Sequence, residues 1–380
     1  MKKVFYAGIT GTILFEFFNV YFIMPMPGSQ QMNSLELAYL LYTYRWLFRV
    51  LFIAMIIGGA FTVLKSGKKW IPVAAMLATA AVIYIFNFKM SAESMFKQPL
   101  NLTMKQRAEN TMPDSCVIIG VEHNGDARAY PIRFLTYHHQ VRDEVGGMQV
   151  LVTYCSVCRT GRVYEPKVQG KEETFRLVGM DHFNAMFEDS RTKSWWRQVT
   201  GEAVAGKLKG QVLPEVPASQ MTLAKWFELY PGSLVMQPDD ASISAYDTLG
   251  RFERGKSEGH LTRTDSISWE EKSWVVGIQH GNVSKAYDWN RLKDELIIND
   301  SIGRTPIVIV LANDGTSFAA FERPGKGLVN VHNDTLQYEN HRYDLSGRCL
   351  DAPAQPLKKI MAYQEFWHSW RTFHPETLQY

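Results

Sequence analysis

Long apolar runs fill the first ninety residues, and beyond them apolar and polar positions alternate in short stretches broken by Gly, Asn and Asp. The runs are 4–24, interrupted by Glu16 and Asn19; 46–64, interrupted by Arg49; and 71–88, which carries no charge. Crossing a hydrocarbon core takes about 20 apolar residues, so each run predicts a transmembrane helix, and residues 1–90 read as a membrane domain. The first run also begins like a signal peptide, after Lys2 and Lys3. However, its apolar part is long for that role, no A-x-A-like cleavage site follows, and two further spans come after it. Glu16 and Arg49 either pair inside the helix bundle or lie near an interface and snorkel to water.

Charge fixes the orientation. Lys2 and Lys3 precede the first span, and Lys65, Lys68 and Lys69 fill the loop between the second and third. By the positive-inside rule both face the cytoplasm, which places everything after about residue 90 outside it. The expected location is therefore the cytoplasmic (inner) membrane, multi-pass, with the lipid bilayer as the first partner. Residues 91–112 are polar and without apolar period, and read as a tether. From residue 113 the alternation predicts a β-rich (α+β) extracytoplasmic domain.

That domain repeats itself. "GVEHNGDARAY" (120–130) returns as "GIQHGNVSKAY" (277–287), a shift of 157 residues that carries on without a gap to set Asp143 on Asp300 and Gly146 on Gly303. Later echoes follow at a smaller shift, such as "KWFELYPGSL" (225–234) with "SWRTFHPETL" (369–378). The pattern predicts two related lobes, 113–240 and 270–380, joined by a connecting segment, 241–269. Features held in both copies, including Asp143/Asp300, read as turn chemistry. Cys155, Cys158, His138 and His139 have no counterparts in the second copy and behave as one set belonging to the first lobe.

A net charge of +3, with basic and acidic residues interspersed, argues against a nucleic-acid partner. Four cysteines are too few for a disulfide scaffold. There is no Gly-rich phosphate loop, no G-x-S-x-G elbow and no paired-carboxylate motif, so no enzyme class is indicated.

The stretches "YPIRFLTYHHQVRDEVGGMQVLVTYCSVCRTG", "FNAMFEDSRTKSWWRQVTGEAVAGKLKG" and "FWHSWRTFHPETLQY" resemble the bacterial and archaeal family called domain of unknown function 3179, over about residues 113–380. His138, Asp143, Gly146, Gly147, Tyr154, Cys155, Cys158, Asn184, Ser194, Trp196, Gln198, Thr200, Gly201 and Glu202 fall on its motif positions. The resemblance implies a fold relationship and no reaction. Ser156 and Arg159 stand where the family pattern has Pro and Gly, and His139 where it has Glu. Arg159 is the informative departure, because a knuckle of this kind needs Gly to turn tightly.

Several readings of the set stay open. Cys155 and Cys158 offer two thiolates, and His138, favoured over His139 by the resemblance, adds a nitrogen, with His182 as a further ligand. Such a site suits zinc or copper. The same cysteines suit thiol–disulfide chemistry outside the cytoplasm, or a structural disulfide. Asn184, Ser194, Trp196 and Gln198, beside Trp195, have the composition of a small-ligand or interaction pocket for an unknown small molecule or protein partner. Of the adjacent Trp195 and Trp196, strand alternation predicts one inward and one outward.

Overall fold

The computed structural model describes residues 1–65, 68–247, 249–351 and 355–380. They divide into two compact units that do not follow chain order. One comprises Met1–Lys97, Glu173–Arg197 and Glu202–Val212; the other comprises Gln98–Glu172, Gln198–Gly201 and Leu213–Tyr380.

The first unit holds three helices long and apolar enough to cross a membrane, Lys2–Tyr21, Arg45–Leu64 and Trp70–Phe88. Leu47, Ile57 and Phe61 each leave about two thirds of their surface outward, an arrangement costly in water and natural in lipid. Small residues let the helices approach. A Cβ on Gly59 would come within 2.6 Å of the Phe5 Cβ. Glu16 and Arg49 pair rather than snorkel. Arg49 donates to both Glu16 oxygens, at 2.7 and 2.8 Å, and to Asn87 Oδ1 at 2.6 Å, while Asn87 Nδ2 donates back to Glu16 at 2.9 Å. A short helix, Leu35–Thr43, precedes the second long one.

The same unit includes a four-stranded antiparallel sheet of Phe175–Asp181, Asn184–Asp189, Trp195–Arg197 and Ala203–Ala205. His182 and Phe183, both with positive φ, make the two-residue turn between the first two strands, the geometry that suits the right-handed twist of a hairpin.

The second unit contains two matched series of elements. The first runs through strands Val117–His123 and Asp126–Pro131, helix Ile132–His138, and strands Gln140–Val145, Met148–Cys155 and Thr160–Tyr164. The second runs through Trp274–His280, Val283–Asp288, helix Trp289–Glu295, Ile297–Ile302, Thr305–Leu311 and Phe318–Glu322. Each series closes with a strand, a seven-residue helix and a short strand: Ser219–Thr222, Leu223–Leu229 and Leu234–Met236 in one, Ala362–Phe366, Trp367–Phe373 and Leu378–Gln379 in the other. In both, the closing strand pairs antiparallel on one edge of the opening hairpin and the short strand pairs parallel on the other. Packing repeats too, with Trp226 filling the space over Gly120 and Trp370 that over Gly277.

Asp143 and Asp300 are not turn residues. Each lies in a strand and accepts a hydrogen bond from a tyrosine, Tyr130 at 2.7 Å and Tyr287 at 2.8 Å, with Arg128 or Lys285 completing the brace. One continuous apolar core draws residues from both series, from Val117 and Tyr154 to Val308 and Phe321. The segment 241–269 carries short helices, Ile243–Tyr246 and Gly250–Glu253, which bury Tyr246 and Phe252 in that core. Within 91–112, Met104–Lys105 adds an edge strand beside Leu234–Met236.

Candidate functional site

The C-x-x-C stretch sits at the tip of a hairpin. Cys155 ends the strand Met148–Cys155 opposite Thr160, and Cys158 lies in the turn that joins it to Thr160–Tyr164. Arg159 closes this turn at φ +57°. It therefore adopts the left-handed conformation that a glycine takes without strain, at a cost of about 1–2 kcal/mol for a residue with a side chain. The compensation is visible. Its guanidinium donates to the carbonyls of Phe252 at 2.9 Å and Glu253 at 2.8 Å and to Gln364 Oε1 at 3.3 Å, and stacks on Trp274 at 3.6 Å.

Groups from the second half of the chain surround the tip. Lys272 donates to the carbonyls of Val157, at 3.1 Å, and Leu261, at 2.7 Å, and lies 3.1 Å from His368 Nε2. His368 Nε2 is itself 3.1 Å from the Val157 carbonyl, and the Phe366 amide donates to the Cys158 carbonyl at 2.9 Å. Burial pulls the Lys272 ammonium below its ordinary pKa, and the Cys158 and Cys155 sulfurs oppose that pull. Burial, aided by Lys272, pushes His368 down to about 3, so its imidazole is neutral at physiological pH and Nε2 can accept from Lys272. Three residues before His368 stands the fully buried Glu365. Burial raises its carboxyl to about 7, against the opposing Arg162 guanidinium 3.6 Å away.

His138 and His139 both stand at the end of a helix. The run before the site is the helix Ile132–His138, whose Ile132, Leu135 and His138 share its buried face. His139 is its left-handed cap at φ 62°. His138 Nε2 lies 2.5 Å from the Tyr246 hydroxyl, and His139 Nδ1 3.3 Å from the Tyr137 carbonyl. Burial lowers His139 to about 4. His182 belongs to the other unit, where it contacts Asp181 at 2.7 Å and Asn33 at 3.2 Å. Among the described residues no group of three or more His, Cys, Asp and Glu side chains is placed to hold a metal ion, which gives Cys155, Cys158 and His138 no support as a metal site. All four cysteines are buried thiols, in place of the structural disulfide that was one reading of the pair.

The residues read as a ligand pocket are divided between the two units. Ser194 and Trp196 both donate to Asp189 Oδ2, at 3.1 and 3.0 Å, and Asn184 is buried at the start of the strand Asn184–Asp189. Gln198 lies in the second unit, where it donates to Thr153 Oγ1 at 3.0 Å. Trp195 and Trp196 are both buried, because each face of the strand is covered. Trp195 meets Tyr39 and Tyr42, Trp196 meets Phe175, and a register shift between them interrupts the ladder. Sequence reasoning missed Lys272, His368 and Glu365. "FWHSW" was visible as a family stretch, but nothing local ties it to a turn two hundred residues earlier.

The model of the family described as "Protein of unknown function (DUF3179)" matches residues 98–377. No curated protein matches the chain. Among solved structures, the terminal oxygenase of carbazole 1,9a-dioxygenase from Nocardioides aromaticivorans IC177 is similar at 8% identity and a TM-score of 0.17, over 62% of this chain and 74% of that one. A likeness this slight carries no argument.

Proposed function

Since the chain belongs to the DUF3179 family, whose description assigns no reaction, we propose from the site that it is a membrane-anchored extracytoplasmic dithiol protein. In this reading Cys155 and Cys158 cycle between two thiols and one disulfide. The observation that carries it is the half-buried Lys272, whose ammonium donates to the Val157 carbonyl inside the C-x-x-C turn and lies within electrostatic reach of both sulfurs. An ammonium beside a thiol favours the thiolate, which is the species that attacks a disulfide.

The exchange balances with a partner disulfide as oxidant. One cysteine thiolate attacks a partner sulfur and expels the partner's second sulfur as a thiolate. The other cysteine, losing its proton, then displaces the first partner sulfur, leaving Cys155–Cys158 oxidised and the partner as a dithiol. Ser156, half-exposed in the turn, is the point where a partner first reaches it. The three apolar helices and the lysines flanking them support the membrane location and the outward placement of the site. The matched series of strands and helices support descent of the outer domain from a duplicated unit, with the dithiol kept in one copy.

The test is redox titration of the full chain in detergent micelles against glutathione, with thiols counted by mass spectrometry. A reversible Cys155–Cys158 disulfide is expected. Loading with zinc or Cu(I) is the companion measurement. Tight stoichiometric metal with no disulfide at any glutathione ratio would replace this reading by the metal-site one.

A further inference from the structure

We infer that the cleft beside the C-x-x-C turn binds a small organic anion: a carboxylate or phosphate head on a flat apolar body. The cleft has a volume of about 700 Å³, inside the range of about 300–1,000 Å³ typical of small-molecule sites. It lies wholly within the second unit and is independent of whether the neighbouring thiols turn over.

Its charge is unbalanced at the lining. Arg159 is 3% exposed, yet among the described residues its guanidinium is bonded to neutral acceptors only: two backbone carbonyls and an amide oxygen. Glu253, the acidic group that acts on it, is already engaged by Arg133 at 3.1 Å and by the Cys116 thiol at 3.5 Å. A buried cation without an anion in contact is costly, and an incoming anion offsets that cost. Arg254 and Lys293 also line the cleft, and neither forms an ion pair among the described residues. The lining carboxylates are Glu253 and Asp265, the latter 3.7 Å from Arg263. The cleft thus presents three cations against two carboxylates that already have partners.

Two further features give the ligand its shape. Gln364 accepts from Arg159 and from Gln220 through its oxygen, while its buried Nε2 has no partner among the described residues. It is a donor held in reserve beside the guanidinium. Trp274 and Trp289 contribute indole rings 6.0 Å apart, centre to centre, and aromatic walls with a few polar groups select flat apolar bodies.

The experiment is calorimetric titration of the full chain in detergent micelles with benzoate, its neutral isostere benzamide and inorganic phosphate. A head-group ion pair predicts that benzoate binds at least about tenfold more tightly than benzamide. The double variant R254Q/K293Q, altered only at exposed positions, is expected to weaken benzoate several-fold, and Arg159→Lys to weaken it further. Displacement of benzoate by phosphate identifies a phosphate head, and failure to displace it a carboxylate head. Equal binding of benzoate and benzamide, benzoate affinity unchanged in the double variant, or no binding of either anion each overturns the inference.

Discussion

Glu365 gives the protein a pH-dependent stability whose sign and size follow from its surroundings. Its carboxyl is fully buried, and its folded-state pKa is raised from an ordinary 4.5 to about 7. Between those values the folded chain holds a proton that the unfolded chain has released, so stability falls as pH rises through the window and is level above it. A span of about 2.5 pH units at 1.36 kcal/mol each makes the loss about 3 kcal/mol. Glu365→Gln keeps the shape and removes the titration. The variant should match the parent near pH 4.5 and exceed it by about 3 kcal/mol at pH 8, less what Arg162 loses as a partner. His139, His368 and His374, all pushed down by burial, titrate in both proteins, so the difference between the two curves isolates Glu365. Urea unfolding of the full chain in detergent micelles, followed by tryptophan fluorescence from pH 4.5 to 8, supplies the curves. The infrared band of a protonated carboxyl at pH 6 should vanish in the variant. Parallel pH profiles would refute the argument.

Four further outcomes are expected. Lys272→Met should raise the thiol pKa at the turn and slow iodoacetamide alkylation at neutral pH by about tenfold, the size of one pKa unit; an unchanged rate removes Lys272 from the site. Arg159→Gly relieves a strained φ worth about 1–2 kcal/mol but strands buried acceptors worth more, so urea unfolding should show net destabilisation of about 2 kcal/mol. Glu16→Leu should lower thermal stability in detergent by about 3–5 kcal/mol by leaving Arg49 buried without its partner, and adding Arg49→Leu should recover most of it. A reporter active only in the cytoplasm, fused after Tyr380, should stay silent; a bright signal reverses the proposed topology.

What the sequence revealed depended on the range of the interactions involved. Apolar runs announce helices through local composition, and the helices Lys2–Tyr21, Arg45–Leu64 and Trp70–Phe88 lie within a few residues of the predicted spans. The recurrence of Tyr130 with Asp143 and of Tyr287 with Asp300 was legible because both members of each pair recur at the same shift, although their role is a brace between strands. The helix Ile132–His138 was not legible because "FLTYHH" carries β-favouring aromatics and Thr, while packing against Tyr246 settles the segment as a helix. Burial, not propensity, decided there. The groups around the cysteines could not be read at all. Lys272 follows a polar segment with no period, and His368 sits on the second lobe's closing helix. Only the folded chain brings either to Val157.

The triad of Glu16, Arg49 and Asn87 takes one side chain from each of the three long helices. An anchor whose only task was to hold a domain at the bilayer could be any greasy sequence, and one span would do. In a bilayer a carboxylate and a guanidinium would each enter the hydrocarbon at a cost of about 3 kcal/mol, offset by their pairing across two helices and completed by Asn87 of the third. A nascent chain that stopped after its first span, or a chimera that borrowed an unrelated one, would display a lone charge to the lipid. If the three helices span a bilayer, the triad makes the anchor selective: an incomplete or borrowed set of spans would leave a charge unmatched.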